Sequence, residues 1–485
     1  MRCERFMRKT VIVGGGIAGL TAAFSLQESG ATDFVLIERA ESFGGKITSA
    51  QQDGFLVEGG PDSFLAQRPA ARELCERLGL ADQLVGSSTG ADATTYVWSH
   101  GRLHPMPEGM MLMAPTMALP FLRTRLISWR GKLRMGMEFL APRAACDQDE
   151  SLADFVRRRL GSEALDKIAG PLMAGIHAAD PERLSLRSTF PVFQEMERQH
   201  GSLLRGMMKR SRRRPAASAG GSAMFTTLRG GLQQLTDSIA ARLPREKLRG
   251  GCSVLSVIER DSRYMVRLGD GSSILADDIV FATPAYVTAD LVQQIDPFLA
   301  SRLRAIRYVS TATVSLGFKR SEVRHPLRGS GFIVPRSEGR SITACSWSSQ
   351  KFPHRAPSDC VLLRVFIGGA LAEHLAEQDD AALIELAREE LRVTLGIDAA
   401  PLLARARRWH KANPQYEVGH EQRVADIERE LGRLPGLHLA GAAYRGAGIP
   451  DCIQSGMKAA RAIVTQRAQI NQPYRDEHCP VSIGA

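Results

Sequence analysis

The chain has 485 residues, 44% hydrophobic and 24% charged, a balance that excludes a disordered protein and at this length requires two or three domains. Lysine and arginine outnumber aspartate and glutamate by 63 to 52, and the net charge of +11 points to an anionic partner or a solvated basic surface; with no nucleic-acid motif, no nucleic acid is expected. The eight cysteines form no CxxC pair, which argues against a disulfide framework or a zinc site, so no metal is expected.

The opening "MRCERFMRK" lacks the apolar core of a signal peptide, and no run approaches the ~20 apolar residues of a spanning helix, so a cytoplasmic protein is expected, free or on a membrane face. Next comes "VIVGGGIAGL". Val11–Val13 is a β-branched run typical of a buried parallel strand, and Leu20, Ala23, Phe24 and Leu26 share one helical face. Between them Gly14 permits the tight turn, Gly16 admits a pyrophosphate, and Gly19 lets helix and strand pack closely. "DFVLIERA" supplies a second strand, and Glu38 ends it 19 positions after Gly19, where a carboxylate accepts from ribose hydroxyls. Gly44-Gly45-Lys46 sets a cation behind a second glycine turn, within reach of phosphate or flavin, and residues 72–80 form an amphipathic helix.

From about 90 to 210 the pattern predicts helices rich in Met, Leu and Arg; His100 and His104, close to Gly101 and Pro105, are read as loop residues rather than metal ligands. "RRRPAASAGGSAMF" at 212–225 reads as a linker or mobile loop. "VLSVIER", "YMVRLGDG" and "DDIVFATP" read as strands, the last rejoining the nucleotide-binding sheet. Residues 301–405 alternate strands with a helix near 379–395, a mixed layer for substrate. Finally "LHLAGAAYRGAGIPDCIQSG" repeats strand, glycine turn and helix, with the helix starting near Pro450. A second glycine-rich helix start suits FAD better than a nicotinamide nucleotide, because its amides stabilise negative charge on the reduced flavin.

With "AGIHAADPERLS" and "YRGAGIPDCI" added to these motifs, residues 8–466 resemble the FAD-dependent porphyrinogen oxidases of haem biosynthesis, within the monoamine-oxidase-like flavoproteins. The resemblance implies an α/β plus α+β chain: a discontinuous Rossmann-type FAD domain (8–89, 221–300, 408–466), a helical domain (90–220), a mixed-sheet substrate domain (301–407) and a tail (467–485). It implies non-covalent FAD contacted by Gly14, Gly16, Ile17, Ala18, Gly19, Glu38, Arg39, Gly45, Lys46, Gly60, Pro61, Asp62, Val254, Trp409, Gly441, Gly448, Ile449 and Pro450. Gly175 is expected at the macrocycle edge and Ile333 and Phe366 on its faces. No acid, nucleophile or metal is required, since aromatisation drives the loss of six electrons to O2.

Protoporphyrinogen IX is the expected substrate and coproporphyrinogen III the alternative; a carotenoid desaturase, an amine oxidase or a flavin-free escort protein are more distant readings. Where several relatives place a propionate-binding arginine, Thr95 stands here, leaving Arg102, Arg336 and Lys46 as equal candidates. Cys452, beside the flavin helix, is read as a small buried residue rather than a covalent link. The methionines and basic residues of 106–137 are read as an irregular core around a substrate channel, with peripheral contact to an anionic membrane as the alternative. A ferrochelatase receiving product and a homodimer complete the expected partners.

Overall fold

The computed structural model describes residues 8–31, 33–111, 113–115, 117–143, 148–213 and 223–470; most of the 212–225 linker and of the C-terminal tail lies outside them. Five parallel strands from four distant stretches form one sheet in the order Leu248–Arg249, Phe34–Ile37, Thr10–Val13, Asp278–Phe281, Leu437–Leu439. Thr10–Val13 and Phe34–Ile37 are buried throughout, as the continuous β-branched runs dictate for a parallel sheet covered on both faces. On one face lies the helix Ile17–Glu28, packed against the C-terminal helix Ile449–Ile470. The two approach so closely that a Cβ on Gly456 would lie 2.2 Å from the Ala18 carbonyl oxygen. The other face is covered by helices Ala285–Val292, Pro297–Arg304 and His420–Leu431 and an antiparallel three-stranded sheet.

A second, seven-stranded sheet runs Leu403–Pro414, Tyr308–Lys319, Cys360–Gly368, Ile342–Ser346, Gly331–Ile333, Thr95–Ser99, Arg102–Pro105. Two boundaries read from sequence move. Thr95–Ser99 and Arg102–Pro105 belong to this sheet and not to the helical layer, because Thr95–Val97 pairs in parallel with Gly331–Ile333. Leu403–Pro414 likewise runs unbroken through the junction expected at 407, held along its length by Tyr308–Lys319. His104 lies within a strand, while His100 occupies the tight turn before it at φ 51°.

Side-chain alternation splits this sheet cleanly. Trp98, Phe332, Cys345 and Val365 pack towards helix Asp380–Leu395, whereas Val97, Ile333, Ala344 and Phe366 face the helical layer. That layer, which includes Leu152–Arg159, Gly170–His177, Pro191–His200 and Leu203–Arg213, is knit by the buried Arg159, whose guanidinium meets Glu197 at 2.9 Å and Glu138 at 3.3 Å.

Candidate flavin and substrate site

The cradle begins at the first helix. Its N-terminal residue Gly16 is followed by a first turn that no side chain caps, leaving amide donors directed at the space before it. A Cβ on Gly14, at φ 106°, would lie 2.8 Å from Ala282 O, and one on Gly19 only 1.9 Å from Gly14 O. A Cβ on Gly16 would meet nothing within 4 Å. The glycines are therefore of two kinds: Gly14 and Gly19 close the turn, and Gly16 borders open space of the sort a pyrophosphate fills. Ile17 and Ala18 are buried, so only their backbone amides are on offer.

Glu38 lies beside this first turn. Its carboxylate accepts from Gly15 N at 2.6 Å and Ala40 N at 2.9 Å, which fixes it across the loop with lone pairs to spare. Arg249 O and Cys252 N bond the backbone of Glu38, bringing Val254 into the neighbourhood, while Arg39 points to the surface. The second glycine turn docks on the first through Gly44 N to Gly15 O at 2.8 Å. From Gly45 the chain turns so that Lys46 reaches Ala412 O with Nζ at 2.5 Å; burial lowers its pKa, with the nearby Cys452 opposing.

Gly59-Gly60-Pro61-Asp62 forms the floor. A Cβ on Gly60 would sit 1.7 Å from Lys46 O, and Trp409 covers the loop with Nε1 on Gly59 O at 2.7 Å. Asp62 meets Lys351 at 3.0 Å; burial alone would raise its carboxyl, but Lys351, Arg355 and Arg364 together hold it well below the usual carboxylate range. At the far end Gly441, at φ 117°, is anchored by Ser455 Oγ and has open space where a Cβ would be, and Gly448 is exposed just before Ile449 and Pro450, which are buried at the helix start. Tyr416 braces this loop from both sides, donating to Ala442 O at 2.7 Å and accepting from Gly446 N at 2.8 Å. Burial pushes the Cys452 thiol up to about 11, so it stays protonated at neutral pH. The bracing Tyr416 had no local sequence signal; it depends on the strand that ends at Pro414 delivering it to the loop.

The three residues expected against substrate come together. A Cβ on Gly175 would touch only Ile333 Cγ2, at 3.7 Å, and pairing aligns Val97, Ile333, Ala344, Phe366, Thr313 and Arg407 in one row on the face of the sheet turned to the helical layer. Gly175 does not break its helix: Gly170–His177 runs through it and ends at Ala178, φ 51°. Sequence reasoning passed over Ile176, the neighbour of Gly175 on that same helix, which is 54% exposed. Thr95 bonds Ser330 through its hydroxyl at 3.2 Å. Of the proposed anion anchors, Arg102 and Arg336 lie at the surface and only Lys46 lies in the cradle.

A family model for flavin containing amine oxidoreductase matches residues 17–464. The chain is 36% identical to the coproporphyrinogen III oxidase of Bacillus subtilis (strain 168), over 94% of this chain and 98% of that one. It is 30% identical to the chloroplastic protoporphyrinogen oxidase of Oryza sativa subsp. japonica, over 93% and 87%. The chain belongs to the porphyrinogen oxidases of that flavin-dependent family. A crystal structure from Exiguobacterium sp. 255-15, provisionally assigned as a protoporphyrinogen oxidase, matches this oxidase with a TM-score of 0.85 at 32% identity, covering 95% of this chain and 99% of that one. The oxidase is thus an FAD enzyme. The open spaces at Gly16 and Gly441, one at each end of the cradle, fit that extended cofactor.

Among the described residues no group of three or more His, Cys, Asp and Glu is arranged to hold a metal, and no helix is long and apolar enough to cross a membrane.

Proposed function

We propose that this oxidase converts coproporphyrinogen III to coproporphyrin III, rather than acting on protoporphyrinogen IX as first expected. The observation that carries the reading is the higher identity to the Bacillus coproporphyrinogen III oxidase, 36% against 30% for the rice protoporphyrinogen oxidase. Thr95 agrees with it: a hydroxyl pair with Ser330 stands where the resemblance leads one to expect a single propionate-binding arginine. Bound FAD, held non-covalently beside the protonated Cys452, supplies the hydride acceptor and the link to O2. The protein's part is positioning: Gly175 leaves room for the macrocycle edge, while Ile333 and Phe366 present apolar surface to its faces. Cradle contacts to FAD are assigned to the residues named in the sequence analysis, with Arg39 at its outer rim and Asp62 acting through the loop.

Anaerobic mixing with each porphyrinogen, followed by flavin bleaching, tests the assignment. Faster bleaching by coproporphyrinogen III is expected; faster bleaching by protoporphyrinogen IX would reverse it.

We further propose peripheral contact with an anionic membrane through the helical layer. The methionines of 106–137 divide: Met113 and Met135 are buried, whereas Met117 and Met137 are each 49% exposed. Leu119, Leu122, Trp129, Leu133 and Leu140 join the exposed pair, flanked by outward Arg123, Arg125 and Arg130. Lys132 and Arg134 take no part, since they cap backbone carbonyls at Leu122 and Thr124 and at Arg157–Arg159. Co-sedimentation with anionic vesicles at low salt is expected, and its loss in a Trp129→Ser, Leu133→Ser, Leu140→Ser variant; recovery wholly in the supernatant would overturn it.

A further inference from the structure

Between the flavin loop and the substrate sheet lies a cluster of five charged side chains that the positioning argument leaves unused. Glu58, Arg355 and Arg364 are buried, and Asp62 and Lys351 are largely so. Glu58 accepts from Leu232 N and Ser49 Oγ and meets Arg355 at 3.3 Å. Arg355 donates onward to Asp62 O at 2.7 Å and Thr227 Oγ1 at 3.0 Å. Lys351 is spent on Asp62 and Ser63. Three cations thus face two carboxylates; burial raises the Glu58 carboxyl despite Arg355, and likewise lowers Lys351 and Arg364 despite Asp62.

Arg364 carries the surplus. Its Nη2 donates to Gly60 O at 2.6 Å and, at 3.3 Å, to Gly59 O, both carbonyls of the floor. Among the described residues no carboxylate comes within ion-pair distance of it, Asp62 and Glu58 acting on it only from further off; its Nε is buried without a hydrogen-bond partner, and it is 4% exposed. Its guanidinium carbon lies 5.2 Å from the Phe366 ring centroid, so the charge sits between the flavin loop and the substrate row. A buried cation that distant carboxylates only partly offset is costly unless further negative charge lies nearby. A bound flavin would supply such charge in its reduced state.

We propose that Arg364 is a positioning residue for the flavin: it clamps the Gly59–Gly60 backbone against Lys46 and directs the surplus positive charge of the cluster at the cofactor, favouring its reduced state. This role rests on FAD as the cofactor and is independent of which porphyrinogen is oxidised. The test is the two-electron midpoint potential of the bound FAD in wild type, Arg364→Met, Arg364→Lys and Asp62→Asn holoenzymes, without substrate. Arg364→Met is expected to weaken the preference for reduced over oxidised flavin about tenfold, a fall of ~30 mV. Arg364→Lys should recover at least half of it, and Asp62→Asn, which removes an opposing anion, should move the potential upward. A purely structural role predicts no shift, or the same direction for Met and Asn, and either result overturns the proposal. Should Arg364→Met not retain flavin, the Asp62→Asn shift decides: upward supports the proposal, unchanged or downward defeats it.

Discussion

A methyl group on Gly19 would sit 1.9 Å from the Gly14 carbonyl oxygen, so the first strand and first helix are held at a separation that only hydrogen at this position allows. Gly19→Ala must therefore push helix and strand apart, at a cost of about 1–3 kcal/mol for forced overpacking. Gly16→Ala meets no protein atom and should leave the apoprotein's stability unchanged while obstructing the pyrophosphate. Urea unfolding of the flavin-free proteins, set beside FAD titration, should show Gly19→Ala losing both stability and affinity and Gly16→Ala losing affinity alone.

Gly175→Ala separates folding from substrate access. The new methyl touches only Ile333 Cγ2, at ordinary contact distance, and sits within a helix, where alanine is favoured over glycine by about 0.5–1 kcal/mol. The melting temperature should hold or rise while kcat/KM for porphyrinogen falls several-fold through KM. A variant with unchanged KM would place the macrocycle elsewhere.

Acid should loosen the brace around the Gly441–Gly448 loop. His420, buried beneath Tyr416 with ring centroids 4.1 Å apart, bonds Tyr444 O at 2.9 Å. Burial is the largest cause depressing its pKa, from 6.5 to about 4; the Tyr444 carbonyl and Asp149 oppose this, and Arg423 and Arg445 add to it. Because the folded value lies below the unfolded one, the unfolded chain binds the extra proton. Stability is then full above pH 6.5 and falls as pH drops towards 4, by on the order of 3 kcal/mol for a shift of this size. Urea midpoints at pH 7.5 and 4.5 should differ, and His420→Gln should flatten the difference. His177, which burial also lowers to about 4, adds a slope of the same sign.

Arg159→Met tests how the helical layer is held. The guanidinium is wholly buried between Glu138 and Glu197 and donates to Ala141 O and Gly201 O. Losing it strands two buried carboxylates, for which about 3–5 kcal/mol of destabilisation is expected. Glu197 keeps Arg158 as a partner, so Glu138, with only Ser202 and backbone amides left, bears most of the loss. Thermal melts of the variant should show the drop.

The nucleotide cradle was legible in the sequence because it is local. Strand, turn and helix occupy adjacent residues, and the closeness of Gly19 to Gly14 is set within that same short stretch. The return of the chain at 278–281 and 437–439 was legible for the same reason, since buried parallel strands and glycine turns leave short-range patterns. The substrate face was not. Ile333 and Phe366 look like ordinary strand residues, and only the pairing of both strands with Ala344 aligns them in one row, with Ile333 beneath Gly175. The pairing of Thr95–Val97 with Gly331–Ile333 removed 95–105 from the helical layer. The division of methionines 106–137 between core and surface also depended on which helix faces found partners. Arg364 is the clearest case: one arginine among many in a basic chain, it is buried against the floor only because Gly59 and Gly60, some 300 residues earlier, fold onto it. Composition determined that the protein is basic; tertiary packing decided where that charge is buried, because desolvation acts on a side chain only once distant segments have closed around it.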